Sequence, residues 1–174
     1  MASNANFISQ FVMGGDPCTY KESGELQAEM SKLTHPARPD VDWRQVEKLS
    51  LALFRQNGVE LQTLVCYVLA ITRRQGLAGM ADGLGSLDIL LQRWADFWPV
   101  QVHSRISLLS WVTEKMQQAL RTLDIQYQDL PQIYRCVQHL SAIETTLQQC
   151  ELWHMTKLDL LAGQFRNTAL RLER

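Results

Sequence analysis

Apolar residues along this chain recur at intervals of three and four, the spacing that aligns side chains on one face of an α-helix. Leu26, Met30 and Leu33 form the first such run, and THPARPD, Thr34 to Asp40, breaks it with two prolines. The next helix is announced by its start. Asp42 is placed to cap the first turn, Gln45 stands at the capping-box position, and Val41 with Val46 forms a hydrophobic staple. Trp43, Val46, Leu49, Leu53 and Phe54 make its apolar face, with Gly58 as the stop. A further helix runs from about Glu60 to Arg74, with Leu61, Leu64, Val65, Val68 and Leu69 inward. Arg73 and Arg74 fall at its C-terminus, where the macrodipole favours cations.

After Gly76 the pattern resumes through Leu84, Leu87, Leu91 and Trp94 and closes at Pro99. Another helix spans roughly Ser104 to Leu123, with Ile106, Leu109, Val112, Met116 and Leu120 or Leu123 on one face. Asp129 then precedes Pro131, a proline that a first helical turn tolerates. From there to Leu172 no proline occurs and Gly163 is the only glycine, while apolar positions from Ile133 to Leu172 keep the same step. A single helix of that length would be ~60 Å long, against a diameter of roughly 40 Å for a compact domain of this size. The expectation is a break or strong bend near Glu151 or Gly163; the alternative is a helix that projects. No strand alternation competes, so the predicted fold is all-α, a compact multi-helix domain with a long C-terminal helix or pair of helices. An irregular lead-in is expected over residues 1–20, a helical core over 21–128, and a C-terminal helical segment over 129–174.

Composition narrows the class of function. With 174 residues, 46% of them hydrophobic, the chain can bury a core without disulfide staples. Seventeen basic and eighteen acidic side chains give a net charge of −1 without a block of like charge. Nucleic-acid binding is therefore not expected, because phosphate neutralisation needs a basic stripe. The longest apolar run is the eight residues Leu64 to Ile71, far short of the ~20 that span a bilayer. The N-terminus, MASNANFISQFVMGG, lacks the positive region of a signal peptide. A cytoplasmic location is expected.

Candidate chemistry changes little. Gly76, Gly79, Gly83 and Gly85 do not spell a phosphate-binding loop, which needs a terminal lysine, and no lysine lies between Lys48 and Lys115. Gly79 and Gly83, four apart, would share a helix face and admit a neighbouring helix closely. Cys136 and His139, then Cys150 and His154, mimic zinc spacing. On one helix the two cysteines would stand ~21 Å apart, so core cysteines and partly exposed histidines are expected. Glu25, Glu29, Glu47 and Asp88 read as solvated helix faces, and no hydrolase motif is present. The chain is read as non-enzymatic, without cofactor or metal. Among five tryptophans, Trp43, Trp94 and Trp111 sit on apolar faces. Trp98, beside Pro99, is either core or the rim of a groove. Trp153, in the polar stretch QQCELWHMTK, is either core, the favoured reading, or an exposed interaction anchor.

Two segments together resemble the N-terminal domain of the ImpA family of type VI secretion proteins, the TssA-like and VasL/TagA-like group. One is PDVDWRQVEKLSLALF, Pro39 to Phe54, with its Asp42–Trp43 helix start. The other is GLAGMADGLGSLDILLQRWADFWP, in which Gly76, Gly79, Gly83 and Leu84 lead to Trp94 and Pro99. DPC, Asp16 to Cys18, fits the family's lead-in, and SKLTHPARPD and LPQIYR look more like the VasL-type branch. QNGVEL, Gln56 to Leu61, stands where many TssA-like members lead into the second helix with serine, lysine, aspartate and leucine, which favours the accessory branch.

The resemblance implies a non-enzymatic helical module acting in assembly, capping or stabilisation of a contractile sheath and baseplate. Implied partners are baseplate, tube or sheath components and a sister ImpA-family protein. It further implies an oligomeric full-length protein, and in some members an inner-membrane tether through a C-terminal region. Two other readings compete: a generic helical adaptor, and a small helical enzyme or ligand carrier with a pocket between helices.

Overall fold

The computed structural model describes residues 8–174, which hold seven α-helices and no strand. They are α1 (Lys21–Met30), α2 (Trp43–Gln56), α3 (Leu61–Gln75), α4 (Leu77–Leu91), α5 (Val102–Thr122), α6 (Leu130–Gln149) and α7 (Leu158–Glu173). The lead-in is pinned to the turn between α2 and α3. Gly14 N–H donates to the Val59 carbonyl and Val59 N–H to that of Val12, each at 2.8 Å.

Helix α2 begins where its sequence signal lies, with the Gln45 N–H donating to the Asp42 carboxylate at 3.2 Å. The return half of the capping box comes from another helix. Asp42 N–H donates to Glu29 Oε1 at 2.6 Å, so α1 sets the entry to α2. Glu29, expected as a merely solvated carboxylate, also holds Lys32 at 2.8 Å. Lys32 first, then the Asp42 N–H, draw its carboxyl below the usual range. Glu47 is likewise a tie, paired with Arg74 across α2 and α3.

Helix α3 is the centre of the molecule. Its residues from Leu61 to Thr72 are buried except Gln62, which accounts for the unbroken apolar run LVCYVLAI. On one side it meets Leu26, Met30, Val46, Leu49 and Leu53 of α1 and α2. On the other it enters the larger core, which extends from Ile8 through α4, α5 and α6 to Ala169 in α7.

Gly76 closes α3 with φ 63° and ψ −134°, a conformation that only glycine adopts without strain. That one residue reverses the chain into α4, which returns along α3. A methyl group added at Gly79 would lie 2.6 Å from the Ile71 carbonyl carbon, and one at Gly83 would lie 2.7 Å from Val68 Cγ1. The two helices approach backbone to backbone at the first position and backbone to side chain at the second, the close approach that the four-residue spacing implies. On its far side α4 meets α6, where buried Asp82 pairs with Arg135 at 2.6 Å.

The long C-terminal periodicity is broken, and the break falls near Glu151. Glu151 and Lys157 take left-handed φ values of 60° and 64°, and the residues between them turn α6 back into α7. Gly163, the other expected break, lies inside α7. Tyr134, early in α6, donates to Glu173, late in α7, and Arg166 meets Glu144 at 3.5 Å. The pair is an antiparallel hairpin packed on the body.

Candidate protein-interaction surface

The motif residues cap and pack helices or lie in the loop after α4. Asp42 caps α2, Gly76, Gly79 and Gly83 make the α3–α4 approach, and Leu84 is wholly buried. Trp43 is half-buried at the first turn of α2, with the Arg73 guanidinium 5.7 Å from its ring centroid. Helix α4 ends at Leu91, and the remaining motif residues lie in the loop that follows.

That loop is built around Arg105. The guanidinium is buried on α5 and donates to the carbonyls of Trp94, Phe97 and Pro99, the last at 2.6 Å. It also stacks 3.9 Å from the Phe97 ring centroid and 4.6 Å from that of Trp94. Trp94 meets Phe97 edge-on at 5.6 Å. One planar side chain thus satisfies three carbonyls that no regular structure would satisfy. The Trp98 carbonyl, across a cis bond from Pro99, accepts from Leu61 N–H at 2.9 Å and joins the loop to the start of α3.

Sequence reading placed Ile106 first on the α5 face, but Ile106 is only half-buried and Arg105 takes that place. The signal was present. Arg105 stands four residues before Leu109 and seven before Val112, on the same buried row.

The consequence is an apolar ledge. Pro99 is buried, Trp98 is half-buried, and Val100 and Val102 are 73% and 45% exposed. Trp98, Pro99 and Val100 border an open groove of about 470 Å³ that Gln62, Ser104 and Leu108 also line. The groove continues between α1 and α5 as a further space of about 370 Å³, over Val65 and Cys66 and between Met30 and Trp111. Of the readings open for Trp98, the groove rim is the one found.

Trp153 lies elsewhere. It is 5% exposed and packs in the main core within the α6–α7 turn, so it offers no anchor to a partner. The polar stretch around it is a turn rather than a helix face. Its neighbours His154 and Met155 point outward while the indole fills the hairpin.

Glu60 is a second residue that sequence reasoning passed over. It is fully buried, and its carboxylate accepts from Gln62 N–H at 2.6 Å and Thr63 N–H at 2.8 Å as the N-cap of α3. Burial pushes its carboxyl up to about 7 against those donors, and Asp16 adds to the rise. Glutamate is not among the favoured N-cap types, so no sequence rule marked it.

The zinc-like spacing resolves into unrelated sites. Cys136 is buried, and burial pushes its thiol up to about 12. His139 is lowered, chiefly by burial, and the exposed His154 ring meets Asp159 at 3.1 Å. Among the described residues no three His, Cys, Asp or Glu side chains are grouped to hold a metal ion.

The fold and its signature residues define an all-α domain in which a glycine-mediated helix pair supports a clamped, partly exposed loop. Residues 8–114 match the sequence pattern of the family described as ImpA, N-terminal, type VI secretion system, and the chain belongs to that family. No curated protein and no solved structure gives a significant match. The matched span contains both resemblance segments and the whole Arg105 clamp. Among the described residues no helix is long and apolar enough to cross a membrane.

Proposed function

We propose that this domain is a non-enzymatic docking module of a type VI secretion component, of the VasL/TagA-like accessory branch. It acts in assembly, capping or stabilisation of the contractile sheath and baseplate from the cytoplasmic side. The observation that carries the reading is the family match over residues 8–114. The ledge of Trp98, Val100 and Val102 supports it, because a rigid loop presents apolar side chains at little conformational cost on binding. The branch assignment rests on SKLTHPARPD and LPQIYR, and on QNGVEL at the entry to α3.

The test uses purified baseplate, tube, sheath and sister ImpA-family proteins, each passed over the immobilised domain. Reproducible retention of one of them is expected, with at least a tenfold loss in the Val100→Asp, Val102→Asp double variant. Both valines are exposed, so circular dichroism should show that variant folded. A folded wild-type domain that retains none of these proteins overturns the reading.

A further inference from the structure

A second recessed surface lies at the opposite end of α5 from the Trp98 ledge. It is an open cleft of about 670 Å³ between the loop that follows α1, the first turn of α2, the end of α3 and the second half of α5. Leu33, Val41 and Trp43 give it apolar walls, and Lys32, Arg38, Arg73 and Lys115 surround them. One carboxylate, Asp40, shares the lining, so the formal charge is four positive against one negative. The whole chain carries −1, so this is a local concentration rather than a sample of the surface.

The fold leaves most of that charge unneutralised at close range. Lys32 is paired with Glu29, but among the described residues neither Arg38, Arg73 nor Lys115 forms an ion pair within 4.0 Å. The contrast with the next residue is informative, because Arg74 is taken up by Glu47 while Arg73 turns to the Trp43 ring. An arginine over a tryptophan is pre-set in orientation and still presents its outer N–H groups.

We propose that this cleft binds an acidic peptide segment of another protein, with carboxylates flanking one aliphatic or aromatic side chain. The apolar walls around Trp43 take that central side chain, while Arg38, Arg73 and Lys115 take the carboxylates through charge-assisted hydrogen bonds. A duplex or a bilayer surface needs a spread of cations across a face, whereas these converge on one recess that also holds Leu33, Val41 and Trp43. The proposal does not depend on which protein docks at the Trp98 ledge.

The experiment is fluorescence anisotropy with a labelled peptide in which glutamates flank a central Leu-Phe. The comparison peptides replace every glutamate by glutamine or by lysine. The acidic peptide is expected to bind at least tenfold more tightly than the glutamine peptide, with affinity falling as salt rises. Arg73→Glu with Lys115→Glu should cost at least tenfold, and Arg38→Glu a few-fold, while Arg171→Glu on α7 should leave binding unchanged. All four residues lie on the surface or half-buried, so thermal melting confirms that each variant is folded. Equal binding of the glutamine peptide overturns the proposal. So does indifference to the charge reversals, tighter binding of a DNA duplex or anionic vesicles, or no binding of the acidic peptide up to about 1 mM. Because the Val100 and Val102 variant leaves this cleft intact, failure here and failure at the ledge are separable.

Discussion

The molecule contains two antiparallel helical pairs built on opposite principles. In α3–α4 a single glycine makes the turn, and the helices meet so closely that Gly79 lies against the Ile71 carbonyl. In α6–α7 the turn takes eight residues, two of them in left-handed conformations, and Gly163 has nothing within 4 Å of where a methyl would stand. The ionisable groups divide similarly. Glu60 and Asp82 are buried at the first pair, whereas the second carries its charges at the surface, as in Glu144–Arg166 and His154–Asp159. One pair is specified by what is missing from its side chains, the other by the large apolar residues that fill it. Tolerance to change should therefore be opposite in the two.

Gly79→Ala should show the largest effect, because the added methyl meets a backbone carbonyl that cannot swing aside. A loss of about 4 kcal/mol or more is expected in denaturant unfolding, or failure to accumulate as folded protein. A stable Gly79→Ala variant would break the comparison. Arg105→Met should follow, at about 3 kcal/mol, since three carbonyls lose their donor together. Faster amide exchange confined to the loop after α4 would locate the damage.

Glu60 sharpens the comparison through pH. Its carboxyl titrates at about 7 when folded and at the ordinary 4.5 when unfolded, so the native state holds the proton longer. The stabilisation from that proton is complete below pH 4.5 and is lost as pH rises through 7. Relative to Glu60→Gln, the wild type should lose roughly 3 kcal/mol between those limits, read as the difference between two denaturation series. A constant difference across that interval would show that Glu60 does not titrate there. The smallest effect should carry the opposite sign. Gly163→Ala, at an open position inside α7, should stabilise by up to about 1 kcal/mol. The same substitution at Gly79 and Gly163 thus divides the two pairs.

Much of this architecture was legible beforehand because it is local. The Asp42 cap, the stop at Gly58 and the apolar rows of α2, α3 and α6 each depend on residues a few positions apart. The break near Glu151 followed from a length argument, although periodicity alone ran straight through it. At the candidate surfaces, legibility was lower. Trp98 was recognised as a possible groove rim, but nothing in its own neighbourhood revealed that Arg105 holds the loop beneath it. The basic cleft draws its cations from three segments of chain between Lys32 and Lys115, so no run of sequence announces it.

By itself the sequence determined an all-α chain, the start and end of most helices, and the family, because periodicity, caps and motif spacing act within a turn or two of backbone. Tertiary structure alone decided which polar groups are buried. Arg105, Glu60 and Asp82 belong to residue types that ordinarily stand in water. Asp82 is held inside by Arg135 from a distant helix, Arg105 by the carbonyls of the preceding loop, and Glu60 by the first N–H groups of α3 while packed segments cover it. It also decided the fate of the two candidate tryptophans. Trp98 stays at the surface because a clamp holds its loop outward, and Trp153 is buried because a reversed helix folds over it.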